Sequence, residues 1–241
     1  MRPVAFLQHE RTQRPGFLLD YLNEAGIPSV IFNPEDGEDV PRSARDFSGL
    51  VLLGSEHSVN DPLAWIADEQ KLVRDAMDAD IPVLGHCFGA QLMAKSLGAT
   101  VCRNAWANIG WSRLRVTPPA RALFGASEIV TFNWHYDTFG IPPGAQRTLF
   151  GAHCLNKGFA IGKHLAFQCH LEVTEEIVRE WCDDASAELQ AATGPAAQGA
   201  DDIIRHLRGT LPALHRVARR VYEQWAAGLT RPPVAHYHGG W

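Results

Sequence analysis

Apolar and polar positions follow two different patterns along the first part of the chain. Residues 15–26 and 62–80 repeat apolar side chains at helical spacing, and Asn60 or Asp61 is a candidate cap for the second helix, with Pro62 at its first position. Short apolar runs bounded by Gly, Pro or Asn predict buried strands at residues 3–8, 28–33, 49–54 and 81–85. Strands that alternate with helices indicate a parallel sheet with helices on its faces.

The pattern changes after about residue 100, where closely spaced strand candidates predict hairpin additions to the sheet. These candidates lie at residues 110–117, 128–135, 146–153, 158–162 and 164–172. Helical spacing returns after Thr174, a candidate N-cap, and is clearest at residues 211–228. The linker at 191–200 is too short for a domain boundary. We therefore expect residues 1–241 to form a single domain with a C-terminal helical extension at about 174–230.

Charge and cysteine content exclude several classes of protein. The 241 residues include 22 Lys or Arg and 27 Asp or Glu, for a net charge of −5, without a dense basic block, so we expect no nucleic-acid partner. The first apolar run is too short for a signal sequence or a membrane span. Five cysteines without a CxxC pair, and the tail residues His236 and His238 without a third ligand, predict neither disulfides nor a metal site. A cytoplasmic location fits best.

The segment "GHCFG" has the pattern of a sharp turn from a strand into a helix, with Cys87 between Gly85 and Gly89. Such a turn exposes the central residue at the carboxyl edge of the sheet. The positive end of the following helix favours a thiolate, and the backbone N–H of Phe88 can donate to an oxyanion. The alternative is a small core cysteine, since a three-residue motif matches often by chance.

A candidate partner for this cysteine lies in "FQCHLE". His170 ends a predicted strand and Glu172 follows two positions later, so an extended backbone directs both side chains to the same side. A cysteine nucleophile needs a base, and the base needs a group that orients its ring. A single histidine is often only structural, but this spacing favours a triad of Cys87, His170 and Glu172. Cys169 alternates to the opposite face and is predicted to lie in the core, and His86 is interpreted as a packing neighbour of the turn.

The strings "GHCFGAQ" and "FQCHLE" resemble the class I glutamine amidotransferase family, whose motifs are G-x-C-x-G-x-Q and H-P-E. The strings "SVNDPLAWI", "NIGW" and "WHYDTFGIPPGA" look like its stand-alone, GMP synthase-like branch, so the resemblance covers nearly the whole chain. It implies an α/β fold, a flavodoxin-like three-layer sandwich with a mixed, mostly parallel central sheet. It also implies hydrolysis of a γ-glutamyl amide, glutamine to glutamate and ammonia, through a cysteine thioester and without a cofactor.

Carried over by position, the resemblance makes Cys87 the nucleophile, His170 the acid and base, and Glu172 its orienting group. Gln91 matches the motif glutamine that contacts the α-amino acid end of the substrate. The backbone N–H of Ser55, in the loop after the third strand, is the second oxyanion donor beside that of Phe88.

The chain also departs from the family pattern. Ser55 and Glu56 stand where the family has Gly and Pro, and Leu171 replaces the Pro between the histidine and the glutamate. His135, Tyr136 and Asp137 are candidate substrate contacts, and Tyr136 takes the place of a glycine, so it is expected to narrow or reshape the pocket for a small-molecule γ-glutamyl substrate.

Several functions remain open at this point. Ammonia transfer would require a synthetase partner chain, since no P-loop pattern is present. With water as the acceptor, the chain would be a γ-glutamyl peptide hydrolase. A catalytically silent binding protein on the same fold is the non-enzymatic alternative. A cysteine α/β-hydrolase is disfavoured because its acid precedes the histidine in the sequence.

Overall fold

A mixed sheet of nine strands forms the centre of the computed structural model, which describes residues 1–229. The strands are β1 (Val4–Leu7), β2 (Ser29–Phe32), β3 (Gly49–Leu52), β4 (Val83–His86), β5 (Val101–Val116), β6 (Glu128–Phe139), β7 (Gln146–Phe150), β8 (Gly158–Ile161) and β9 (His164–Phe167). The helices are α1 (Gly16–Glu24), α2 (Ala64–Asp78), α3 (Phe88–Ser96), α4 (Arg121–Phe124), α5 (Glu175–Asp184), α6 (Ser186–Ala191) and α7 (Ala200–Ala227). Short 3₁₀ turns precede β3 and α4.

The strand order is β2-β1-β3-β4-β9-β8-β7-β5-β6. Every pairing from β2 to β9 is parallel, and every pairing from β9 to β6 is antiparallel. The predicted α/β fold with a mixed sheet is confirmed, and its parallel pairings lie at one end. Strand β9 is the last strand of the parallel part. It pairs with β4 in a register that matches His86 with Phe167.

Helices cover both faces of the sheet, which gives three layers. Val4 and Phe6 of β1 belong to the core beneath α1, α5 and α7, whereas Ala5 and Leu7 belong to the core beneath α2 and α3. This alternation is the two-residue period of a strand that is buried on both faces. The predicted apolar face of α7 is also confirmed, with Leu214 and Trp225 among its buried residues.

Two predicted details are wrong. Helix α2 begins at Ala64, and its N-cap is Leu63 without a side-chain hydrogen bond. The Asn60 side chain instead joins the loop to β5, where it donates to the Val101 carbonyl at 3.0 Å, and the Asp61 side chain accepts from the Ser58 N–H within the loop at 2.9 Å.

The second error concerns the strand candidate at 164–172. Strand β9 ends at Phe167, and the next residues form bends with one isolated bridge, from His170 to Phe132. By contrast, the predicted cap is confirmed, because the Thr174 side chain accepts from the Ile177 N–H.

Among residues 1–229, no helix is long and apolar enough to cross a membrane. The tail histidines His236 and His238 lie outside the described residues.

The sharp turn that the motif predicts lies between β4 and α3, and its backbone is strained. Cys87 has φ of +51° and ψ of −109°, a conformation that a non-glycine residue adopts only where its surroundings fix it. A Cβ on Gly89 would lie 2.2 Å from the Leu52 carbonyl oxygen, and a Cβ on Gly85 would lie 2.7 Å from the Gly89 backbone. The two glycines therefore let α3 approach β3 and β4 closely.

Two glycine-to-alanine substitutions test this packing. We expect Gly89→Ala to lower the free energy of unfolding by roughly 1–3 kcal/mol, because the new methyl group meets backbone atoms that have no room to move. Gly209→Ala is the matched control: Gly209 lies within α7, with no atom within 4 Å of an added Cβ. It should raise the stability by about 0.5–1 kcal/mol. Urea unfolding measures both, and equal effects would contradict the account of the turn.

Candidate active site

Cys87 lies at the carboxyl edge of the parallel strands, where α3 begins. Its backbone N–H donates to the Phe167 carbonyl at 2.8 Å, which ties the turn to the end of β9. Its Sγ lies 3.7 Å from Nε2 of Gln168, which donates to it, and 3.6 Å from the Trp134 carbonyl oxygen. The residue is 6% exposed and lines the main pocket of the described residues.

His170 joins Cys87 to Glu172. The backbone N–H of His170 donates to the Phe132 carbonyl at 2.9 Å, and its ring packs edge-on against Trp181. Nδ1 donates to Oε1 of Glu172 at 2.6 Å, and the ring lies in the same pocket as Cys87, close enough for that residue to raise its pKa. The three predicted triad residues therefore meet, although the backbone between His170 and Glu172 is not the strand that the spacing suggested.

Both ends of the histidine–glutamate pair have shifted pKa values. Burial alone would lower the pKa of His170, but the charges of Glu172 and Cys87 outweigh it and raise that pKa from 6.5 to about 10. Burial alone would raise the pKa of Glu172, but the two neighbouring histidines, His86 and His170, keep it below its ordinary value. The pair is therefore imidazolium and carboxylate at neutral pH.

Glu172 is held on its other side by residues behind the turn. Its backbone carbonyl accepts from the Phe17 N–H at 2.8 Å, and its Oε2 lies 3.4 Å from Nδ1 of His86. His86 is fully buried, and burial lowers its pKa against the opposing charge of Glu172. His86 was interpreted as a packing neighbour of Cys87, but it also contacts the carboxylate that orients His170.

The predicted oxyanion donors, the N–H groups of Ser55 and Phe88, have no hydrogen-bond partner within residues 1–229, and both residues line the pocket. Glu10 fixes the unusual loop around Ser55. Its Oε1 accepts from the Ser55 hydroxyl and from the Glu56 N–H, both at 2.8 Å. The side chain of Glu10 thus holds the loop where the family pattern has Gly and Pro.

Gln91 lies one helical turn after Cys87 and also faces the pocket. Its Nε2 donates to Oε1 of Gln168 at 3.2 Å and lies 3.5 Å from the Asp137 carbonyl oxygen. The Asp137 carboxylate accepts from the Ser58 hydroxyl at 3.1 Å. These contacts connect α3, the segment after β9 and strand β6 around the sulfur.

His135 lines the pocket with both ring nitrogens engaged by protein groups. Nδ1 donates to the Asp137 carbonyl at 2.9 Å, so Nε2 accepts from Nζ of Lys157 at 2.6 Å. Nζ of Lys157 also donates to Oδ1 of Asn133 at 2.8 Å. Burial, followed by the charge of Lys157, lowers the pKa of His135 well below 6.5, so the imidazole is neutral.

Tyr136 forms an outer wall of the pocket together with α6. Its hydroxyl and the indole N–H of Trp134 both donate to Oε1 of Glu188, at 2.5 and 3.1 Å. Burial and the hydrogen bond to Glu188 raise the pKa of Tyr136 to about 12. The guanidinium of Arg103 stacks on the tyrosine ring at 4.3 Å. The cavity between this wall and Cys87 has a volume of about 640 Å³.

One group of possible metal ligands lies at the rim of the pocket. Oxygen and nitrogen atoms of Glu10, Glu35 and His57 come within 4.8 Å of one another. Hydrogen bonds within the protein explain this proximity, since His57 Nε2 donates to Glu35 at 2.9 Å and Glu10 accepts from the loop. We therefore assign no metal ion to these three residues.

The sequence analysis did not identify several residues that lie in or behind this pocket. Gln168 precedes the histidine motif and could have been identified, because it is a polar residue within the apolar pattern of a predicted strand. No sequence pattern indicated Lys157 or Glu188, because a lysine before a glycine and a glutamate on a helix are ordinarily solvated.

Residues 16–179 match the glutamine amidotransferase class-I family. A protein of Salmonella typhimurium, named as glutamine amidotransferase-like, is 30% identical over 79% of this chain and 84% of its own length. The GMP synthase (glutamine-hydrolyzing) of Bordetella parapertussis is 27% identical over 65% of this chain, but this covers only 31% of that protein.

Solved structures agree with these sequence relationships. The crystal structure of a glutamine amido transferase from Methylobacillus flagellatus superposes with a TM-score of 0.96, at 37% identity over 99% of both chains. A glutamine amidotransferase structure from Thermotoga maritima, at 24% identity, shares the fold with a TM-score of 0.85. With the matched family and these relatives, the chain belongs to the class I glutamine amidotransferase family.

Proposed function

We propose that this protein hydrolyses a γ-glutamyl amide, glutamine to glutamate and ammonia, through a thioester on Cys87. The observation that carries the proposal is the placement of one buried imidazole, His170, which binds the Glu172 carboxylate and lies in the same pocket as Cys87. The free N–H groups of Ser55 and Phe88 beside the same pocket support it further. A nucleophile, an acid and base, an orienting group and oxyanion donors are the parts that acyl transfer needs.

The proposed resting state is a thiolate and imidazolium pair. The pKa of about 10 for His170 means that its ring keeps a proton at neutral pH, and this charge stabilises the sulfur anion. Glu172 and the contacts of its carboxylate hold the ring so that Nε2–H faces the sulfur. The orientation of His170 thus precedes substrate binding.

In the first half of the reaction, the thiolate attacks the amide carbon and the carbonyl electrons move onto oxygen. The N–H groups of Ser55 and Phe88 stabilise that oxyanion. As the tetrahedral intermediate collapses, the C–N bond breaks and His170 gives its proton to the leaving ammonia. In the second half, neutral His170 takes a proton from water, and the hydroxide releases glutamate from the thioester and restores the thiolate.

The substrate contacts are also proposals. Gln91 and the backbone of β6 at Tyr136 and Asp137 stand beside the sulfur and suit the α-amino acid end of the substrate. His135 contributes through Asp137, since its own ring nitrogens bind protein groups.

A γ-glutamyl peptide hydrolase is the second candidate, and the size of the pocket favours it. A cavity of about 640 Å³ is larger than glutamine needs, and Tyr136, Arg103 and Glu188 offer an aromatic face and both charges to a larger leaving group. The GMP synthase relatives favour ammonia transfer to a synthetase partner chain instead. A catalytically silent binding protein would have the same pocket without turnover.

Cysteine-to-alanine variants test the nucleophile. We expect Cys87→Ala to lower ammonia release from glutamine or γ-glutamyl peptides by about three orders of magnitude or more, because the covalent route is lost. Its free energy of unfolding should stay within about 1 kcal/mol of wild type, as for a residue that mainly serves a site. The control is Cys102→Ala, which removes an exposed cysteine and should retain full activity.

The same assay separates the alternatives. Faster release from glutamine than from γ-glutamyl peptides supports the amidase, and the reverse order supports the peptide hydrolase. Wild-type activity in Cys87→Ala would refute the mechanism, and a folded wild type that hydrolyses neither class of substrate would favour the binding protein.

The raised pKa of His170 also predicts how stability depends on pH. Folded His170 keeps its proton up to about pH 10, whereas the unfolded residue loses it near 6.5, so the stabilisation is complete below pH 6.5 and lost as pH rises towards 10. Glu172→Gln removes the main cause of the shift. Above about pH 8.5 the unfolded Cys87 has lost its proton as well, so the His170 proton is the one by which the folded and unfolded pair differ. Urea unfolding of both proteins between about pH 8.5 and pH 10 should therefore show a steeper loss of stability in wild type, and parallel curves would contradict the assignment.

A further inference from the structure

Lys157 is the only lysine or arginine that is buried among residues 1–229. It is 1% exposed, and within the described chain no carboxylate lies within 4.0 Å of its Nζ. Its two partners, Asn133 and His135, are neutral. An ammonium group without an ionic partner is costly to bury, so its presence next to the catalytic pocket calls for a physical reason.

The ionisable groups that face Lys157 do not neutralise it locally. Burial raises the pKa of Cys169 to about 12, so its sulfur stays protonated, and Sγ of Cys154 lies 3.5 Å from the Asn156 carbonyl oxygen. Burial lowers the pKa of Lys157 itself to about 8, against the opposing effect of the cysteines, which include Cys87, and the ammonium therefore persists at neutral pH.

The proposed triad has a charge that Lys157 balances. A thiolate on Cys87, an imidazolium on His170 and a carboxylate on Glu172 sum to one negative charge, and adding the ammonium brings the buried site to zero. We propose that Lys157 is a positioning residue that serves as the counter-charge of this triad and so maintains the thiolate of Cys87. The proposal rests on the proposed function, because it assumes the thiolate.

Hydrogen bonds also connect Lys157 to the sulfur. Its backbone carbonyl accepts from the Gln168 N–H at 2.9 Å, and the Gln168 side chain donates to Sγ of Cys87. On the other side, its ammonium fixes the tautomer of His135, whose Nδ1–H holds the Asp137 carbonyl. Lys157 thus acts on the site through its charge and through two neighbours, without contact to the substrate.

Alkylation of Cys87 tests the counter-charge without any substrate. Iodoacetamide reacts with thiolates, and peptide mass spectrometry resolves the rate at Cys87 from that at exposed Cys102, an internal reference. We expect Lys157→Met and Lys157→Gln to lower the Cys87 rate about tenfold or more at pH 7, because a nearby positive charge favours the ionised sulfur by at least such a factor. Lys157→Arg, which keeps the charge, should restore most of the rate.

Two further variants make the result decisive. Lys71→Met removes an exposed lysine on α2 and should leave both rates unchanged. Asn133→Asp sets a carboxylate beside Nζ and cancels the charge without removing the lysine, so it should reproduce the decrease even if the neutral variants fail to fold.

Folded variants without the Lys157 charge that alkylate Cys87 at the wild-type rate would overturn the proposal and leave Lys157 a structural role only. Failure of the proposed function gives a different result, namely a wild type without turnover, and the alkylation rates still decide the role of Lys157.

Discussion

The parallel pairing of β4 with β9 is the interaction on which the candidate site depends. It matches His86 with Phe167, so both strands end at the same edge of the sheet, and the Cys87 N–H closes the junction by donating to the Phe167 carbonyl. The turn after β4 then directs the sulfur towards the pocket, and the segment after β9 returns His170 to it. The eighty residues or so between the two motifs bring β9 back beside β4, and they also supply the β6 carbonyls of Phe132 and Trp134 that contact His170 and Cys87.

The second constraint is electrostatic. Glu172, His170 and Lys157 bury a carboxylate, an imidazole and an ammonium at or behind the pocket, where each charge is costly unless another balances it. Glu172 raises the pKa of His170 to about 10, and the proposed thiolate of Cys87 and the ammonium of Lys157 complete the balance. Preparing these charges before the substrate binds lowers the reorganisation that the reaction requires.

The sequence predicted the parts of the fold that local patterns encode. The alternation of strands and helices gave the parallel half of the sheet, and the glycines around Cys87 gave the turn, because both depend on short-range backbone preferences. The contact of His170 with Glu172 was predicted on the basis of a continuous strand. The two residues do meet, but β9 ends at Phe167, before both of them. Lys157 and Glu188 could not be predicted, because their burial or contact arises only when distant elements pack together.

Affinity labelling tests the central claim most directly. A glutamine analogue with a diazomethyl ketone in place of the amide forms a stable thioether with an activated cysteine that occupies the position of a nucleophile. Peptide mass spectrometry of the labelled wild type should find the adduct on Cys87, and His170→Ala should be labelled much more slowly. An adduct on another residue with Cys87 unmodified, in a protein that releases ammonia from glutamine, would contradict the account.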